Sequence, residues 1–216
     1  MKILAINGSP RKNGNTGTLL AKAMDGAKSQ GAETEIIHLY DLQFKGCISC
    51  FACKRINGKS YGKCALKDDL SVVLEKIDHA NAFVLGSPIY LTDITGEMRS
   101  FIERLAFQYL VYDKERTVLT PNKVDTGFIY TMNLNEQIIK ELEYEHIFKR
   151  HKNLLERFFG NSETLVVTDT YQFDDYSKYV STMFDETAKA ERRNKIFPID
   201  CQEAFNLGVK LVANVK

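Results

Sequence analysis

Lys2-Ile-Leu-Ala-Ile-Asn7-Gly8-Ser9-Pro10-Arg11-Lys12-Asn13-Gly14-Asn15-Thr16 decides how the rest of the chain is read. Residues 2–6 form a short apolar run of the kind that makes a strand buried on both faces of a parallel sheet. Turn-forming residues follow, and then Leu19, Leu20, Ala23, Met24 and Ala27 recur at the spacing of one helix face. Strand, glycine-containing loop and helix in that order make a cradle for a phosphate. Backbone N–H groups turn inward at the glycines, the hydroxyls of Ser9 and Thr16 donate hydrogen bonds, Arg11 offers a cationic fork, and the helix N-terminus adds its dipole. Neither Gly8 nor Gly14 is followed by Lys-Ser/Thr, so this is no Walker A loop, and G-x-G-x-x-G is also missing. A phosphate monoester fits better than a nucleoside triphosphate.

Four further short runs at 35–39, 82–85, 127–130 and 164–168 read as strands. Between them lie helical stripes. Leu70, Val73, Leu74 and Ile77 follow the capping pair Asp68-Asp69, and Met98, Phe101, Ile102, Leu105, Ala106 and Tyr109 form the next face. A fourth helix is expected over 135–159 and a fifth over 203–214. Five alternations of strand and helix predict an α/β fold, a doubly wound five-stranded parallel sheet of order 2-1-3-4-5 with helices on both faces. Residues 1–216 read as a single domain interrupted by long excursions at 40–67, 107–123 and 170–202, lengths at which a loop is usually functional. Gly58-Lys59-Ser60 mimics the end of a Walker motif but lacks the preceding strand and reads as a turn. The excursion at 107–123 is a candidate arm towards a neighbouring subunit.

Lys plus Arg is 29 against 28 Asp plus Glu, a net charge of +1, which leaves no basic footprint for nucleic acid. No apolar run exceeds four residues, far short of a membrane span, and the stretch after Lys2 is too short for a secretory signal. A cytoplasmic location is expected.

In a sheet of order 2-1-3-4-5 the loops after the first and third strands flank the switch point where ligands bind. The second of these is Gly86-Ser87-Pro88-Ile89-Tyr90, with a stiff proline and apolar and aromatic surface for a flat ring. A phosphate cradle beside a ring platform describes a site for flavin mononucleotide (FMN). At this point the sequence resembles the flavodoxin-like NAD(P)H-dependent FMN reductases, and within them the iron-sulfur flavoprotein branch. The resemblance rests on Gly8-Ser-Pro-Arg-Lys-Asn-Gly-Asn-Thr16 and on Cys47-x-x-Cys50-x-x-Cys53 leading to Cys64 and Asp68-Asp69. It also rests on Ser87-Pro-Ile-Tyr90 running into Gly96-Glu-Met-Arg-Ser-Phe-Ile-Glu-Arg104, and on Tyr130-Thr-Met-Asn133. These cover most of residues 1–133, and the last 80 residues are matched loosely.

The resemblance implies FMN held noncovalently, with Ser9, Arg11, Asn15 and Thr16 at the phosphate, Pro88, Ile89 and Tyr90 along the isoalloxazine, and Thr131 and Asn133 in the loop after the fourth strand. It implies hydride taken from NADH or NADPH and passed to a flavin, quinone, nitro or azo compound or protein acceptor. It also implies a homodimer or homotetramer. No side chain need act as acid or base, because the flavin carries the chemistry. Two other readings remain: an iron-sulfur flavoprotein electron carrier without its own small-molecule substrate, and a redox or metal sensor based on the cysteines.

Cys47, Cys50 and Cys53 have the spacing of cluster ligands, and Cys64 is the candidate fourth, although ten residues separate it from Cys53. An iron-sulfur cluster, structural zinc, redox-active thiols and free thiols would all use these residues. The loop is expected to open on the same sheet edge as the flavin. Cys201 reads as a small packing residue, and His38 and His79 as packing histidines. His146 and His151 are five apart, unsuited to sharing a metal. The runs 149–152 and 191–193 read as solvated faces, and the aromatics of 170–179 as ordinary packing, with a wall of a substrate pocket as the other reading.

Overall fold

Along the first strand Leu4 and Ile6 enter one apolar cluster and Ile3 and Ala5 the other, and all four are fully buried. A strand apolar on both faces forces a layer on each side. The computed structural model describes residues 1–215. Strands β1 (Lys2–Asn7), β2 (Glu33–His38), β3 (Ala82–Tyr90), β5 (Asp125–Thr131) and β6 (Ser162–Val167) form a parallel sheet in the order β2-β1-β3-β5-β6. This is the predicted 2-1-3-4-5 order. The sixth strand, β4 (Asp93–Ile94), was not foreseen. It pairs antiparallel with the end of β3, Tyr90 opposite Asp93, through a turn in which Leu91 and Thr92 both have positive φ, as a tight hairpin requires.

Helices α1 (Asn15–Ser29) and α7 (Phe197–Ala213) cover one face, and α2 (Asp69–Asp78), α3 (Gly96–Phe107) and α5 (Glu145–Phe158) the other. The expected helix over 135–159 is two: α4 (Glu136–Glu141) ends before Glu143, whose φ of 54° takes the chain out of the helix before α5 begins. Helix α7 starts at Phe197 rather than 203, because Pro198 fits the first turn, where its missing N–H costs nothing. The excursion at 170–202 holds a further helix, α6 (Glu186–Lys195), and the segment 107–123 folds back as a hairpin on its own chain. Leu110 pairs with Val118, and both pack on the core, while the tip around Tyr112 is exposed. Residues 58–60 lie in turns.

Helices α1 and α7 cross backbone against backbone. A Cβ added at Gly208 would stand 1.8 Å from the Ala23 carbonyl oxygen, and one at Gly26 would stand 2.0 Å from that of Phe205. Gly208→Ala should therefore destabilise the fold by about 1–3 kcal/mol through overpacking, although alanine is favoured over glycine in a helix by ~1 kcal/mol. Urea unfolding checks this: a stabilised variant would show that the helices can separate without loss.

Candidate functional site

The loop after β1 is held by its own first residues. The Asn7 side chain accepts the Ser9 N–H at 2.9 Å and donates to His38 Nδ1 at 3.0 Å, and Ser9 Oγ accepts the Arg11 N–H at 3.2 Å. The Gly8 N–H donates to the Gly86 carbonyl (2.8 Å), and the Gly8 carbonyl accepts from Thr95 Oγ1 (2.7 Å). Loop one is thereby fastened to β3 and to the start of α3. Gly14, the N-cap of α1, brings no side chain to the helix end, so the first N–H groups stay open to an anion.

A cleft of about 510 Å³ opens there, in the size range of cofactor sites. Ser9, Arg11, Asn15, Thr16, Pro88, Ile89, Tyr90, Thr131 and Asn133 all line it. Pro88, Ile89 and Tyr90 reach it as the last residues of β3 rather than as a loop. Thr16 and Thr131 join hydroxyls at 2.8 Å across the floor. Asn133 Oδ1 is buried without a hydrogen-bond partner while its Nδ2 donates to Gln172 Oε1 at 2.7 Å. An unpaired acceptor in a cleft with a cation, hydroxyls and a helix N-terminus suits a guest with an anionic end and N–H or O–H donors, and FMN has both.

Sequence reasoning preferred packing for the far wall and missed its ties to Arg11 and Asn15. Residues 170–174 cross the cleft as a strap: Arg11 donates to the Gln172 carbonyl (2.6 Å) and Asn15 Nδ2 to that of Tyr171 (2.9 Å). Phe173 and Tyr179 stack at 4.1 Å and line the cleft with Tyr171, so these aromatics do more than pack. Arg193 also lines it, donating to Asn15 Oδ1 at 2.7 Å. The run 191–193 is thus no solvated face, since Arg192 pairs with Asp200 and Arg193 lies 4.0 Å over the Phe197 ring. The available signal was that i, i+4 pair of Arg193 and Phe197.

Two histidines support these elements. His151, assigned above to a solvated run, is buried: Nδ1 meets the Tyr130 hydroxyl at 3.2 Å and Nε2 stands 3.5 Å from Asp93 in the β3–β4 hairpin. Burial lowers its pKa, as it does that of His38, which lies half-buried. His79 is exposed at the C-cap of α2, and His146 is exposed on α5. Cys201 packs against the α1–α7 core.

Cys47, Cys50, Cys53 and Cys64 line one small, mainly apolar cleft with Arg104, Phe107 and Gln108. It does not open beside the first cleft. Arg104, Phe107 and Gln108 lie at the C-terminal end of α3, whereas Thr95, which holds loop one, is its N-cap. At ~1.5 Å per residue the nine positions from Thr95 to Arg104 span about 14 Å along the helix axis. The physical reason is anchoring: Arg104 donates to the Lys45 carbonyl at 3.2 Å and pairs with Asp68, drawing the loop along α3 away from the switch point. Among the described residues no three His, Cys, Asp or Glu side chains are arranged to hold a single metal ion. A cluster spreads its thiolates over several irons and makes no such demand. Burial raises the Cys53 pKa and lowers that of Lys54 beside it. Two buried donors on residues that line this cleft, Arg104 Nε and Gln108 Nε2, have no hydrogen-bond partner, which suits an electron-rich sulfur-containing guest.

A doubly wound parallel sheet with a ligand cleft at its switch point defines the flavodoxin-like class. Residues 1–126 match the NADPH-dependent FMN reductase family, and the chain belongs to that family. It is similar to an iron-sulfur flavoprotein of Archaeoglobus fulgidus, 45% identical over 104 residues, covering 48% of each chain. An iron-sulfur flavoprotein of Methanocaldococcus jannaschii is 36% identical over 104 residues, 48% of this chain and 51% of that one. The chain thus spans about half the length of the curated relatives it matches. In fold it is similar to an NAD(P)H:quinone oxidoreductase from Methanothermobacter marburgensis, with a TM-score of 0.69 at 15% identity, covering 98% of this chain and 96% of that one.

The two lowered histidine pKa values fix the sign of a pH effect. The unfolded chain binds protons at these sites from about pH 6.5 downward, while the folded chain resists, so stability is full above that value and falls as the pH drops through the lowered folded values. Urea midpoints should decline between pH 7 and pH 5, and His151→Phe should show a smaller decline. An unchanged slope in that variant would show that His151 is not held neutral.

Proposed function

We propose that the protein is an FMN-dependent oxidoreductase that takes hydride from NADH or NADPH and delivers electrons to a flavin, quinone, nitro or azo compound or protein acceptor. The observation that carries this reading is the convergence of all nine expected cofactor residues on one cleft that also holds the unpaired Asn133 oxygen. Ser9, Arg11, Asn15 and Thr16 would hold the phosphate at the start of α1, and Pro88, Ile89 and Tyr90 would carry the ring. Thr131 and Asn133 would close the floor. FMN, when bound, supplies the hydride acceptor, and the protein supplies position and electrostatics. The strap aromatics and Tyr90 would bound the space for the nicotinamide and the acceptor and exclude water from it. No helix among the described residues is long and apolar enough to cross a membrane.

A second reading has its own observation. Between Asp41 and Asp68 the chain holds Lys45, Lys54, Arg55, Lys59, Lys63 and Lys67 and no carboxylate, and Ile48, Phe51, Ile56 and Tyr61 are exposed among them. A basic, partly apolar rim around four thiols favours an electron carrier in which Cys47, Cys50, Cys53 and Cys64 hold an iron-sulfur cluster that exchanges electrons with another protein. The homodimer or homotetramer belongs to the proposal as well, supported by the hairpin tip beside the cleft, where Leu91 is 99% exposed.

Arg11→Ala should weaken FMN binding by roughly 1.5–3 kcal/mol, the range for a hydrogen bond to a charged group, and weaken riboflavin binding by less, through the strap alone. Quenching of flavin fluorescence on titration measures both. Equal losses for FMN and riboflavin would place Arg11 away from the phosphate.

A further inference from the structure

We propose that Arg104 and Gln108 donate hydrogen bonds to the sulfur atoms of an iron-sulfur cluster held by Cys47, Cys50, Cys53 and Cys64, and set its reduction potential. The inference rests on the cluster reading above and concerns residues outside the cysteine motif. Arg104 has a side chain 0% exposed, yet its guanidinium is only partly used. Nη1 donates to the Lys45 carbonyl and to Asp68, Nη2 approaches the Leu66 carbonyl at 3.5 Å, and Nε has no partner. Gln108, also buried, accepts the Cys64 N–H at Oε1, 2.9 Å away. Only the oxygen end of an amide can accept, so this bond fixes the orientation and leaves Nε2 as the free donor.

Two buried donors without partners in one small cleft are exceptional in a folded protein, where nearly all buried polar groups are paired. Both belong to residues lining the cleft of the four thiols, and no carboxylate lines it. Asp68, which pairs with Arg104, stands outside that lining and is already engaged. The guest that satisfies both donors is therefore electron-rich and sulfur-bearing: thiolates and the sulfides between them. A second cation, Lys54, is tied to the Phe107 and Gln108 carbonyls and adds positive charge near the same cysteines. One-electron reduction by a redox partner protein would make a cluster held here more negative, with no bond broken and both donors keeping their protons. Hydrogen bonds to sulfur are then stronger in the reduced state, which raises the potential.

The test is anaerobic iron and sulfide reconstitution of the full chain, followed by iron, sulfide and flavin analysis and a spectroelectrochemical titration of the cluster. Gln108→Glu keeps an acceptor for the Cys64 N–H and replaces the free donor with an oxygen. Its midpoint potential should shift to more negative values, with flavin content equal to that of the wild type. Gln108→Met removes the donor without adding charge and should shift the midpoint in the same direction by less. If Gln108→Glu fails to retain iron, the Gln108→Met midpoint decides. Wild-type protein that takes up flavin but no iron would overturn the cluster reading. Wild-type protein with iron and sulfide, and variants with an unchanged midpoint, would overturn the donor assignment alone.

Discussion

The Gly8 peptide is gripped from both sides. Its N–H donates to the carbonyl of Gly86 in β3, and its carbonyl accepts the hydroxyl of Thr95, which also caps α3 by accepting the Met98 N–H at 3.3 Å. Ser87 Oγ accepts the Thr95 N–H at 3.1 Å and donates to the Pro88 carbonyl at 2.8 Å, so the same few atoms fix the end of β3. Each such bond contributes only about 1 kcal/mol net, but these bonds share partners and are buried, so they hold as a set. The anion-facing loop and the ring-facing strand keep one spacing because both are tied to Thr95. Thr95 thus adds a side-chain tie to the direct backbone bond between loop one and β3.

The cleft has two origins within the chain. Ser9 to Thr16 and Pro88 to Tyr90 come from the part that matches the family, residues 1–126. Thr131, Asn133, the strap and Arg193 come from the part beyond it. Arg11 and Asn15 are shared: each faces the expected phosphate position and each donates to a strap carbonyl. An anion bound as proposed would draw on the donors that already hold the strap. The cysteine cleft shares α3 with this site but sits at the helix's other end, so the two are linked through one rigid element and not through contact.

Much of this was legible in residues whose local chemistry permits one reading. The apolar run 2–6 followed by Asn7-Gly8-Ser9 requires a buried strand, a turn and a helix start, and the sheet order follows from the alternation. What stayed hidden depends on tertiary partners. The chain leaves the helix at Glu143 without a glycine or proline to announce it. His151 sits among Lys149, Arg150 and Lys152 and turns inward only because Tyr130 and Asp93 wait there. The direction taken by the cysteine loop depends on Arg104 finding Lys45 and Asp68, two contacts between residues far apart in sequence. Arg193 reaches Asn15 across 178 positions. Local patterns specify elements, whereas such long-range side-chain choices need the packed fold.

The most direct test of the central claim is the visible absorption spectrum of the protein after anaerobic incubation with FMN and removal of unbound flavin. The account predicts retained flavin bands at one FMN per chain, bleached by NADH or NADPH and restored by a quinone. A colourless protein, or flavin that the nicotinamides leave oxidised, would contradict it.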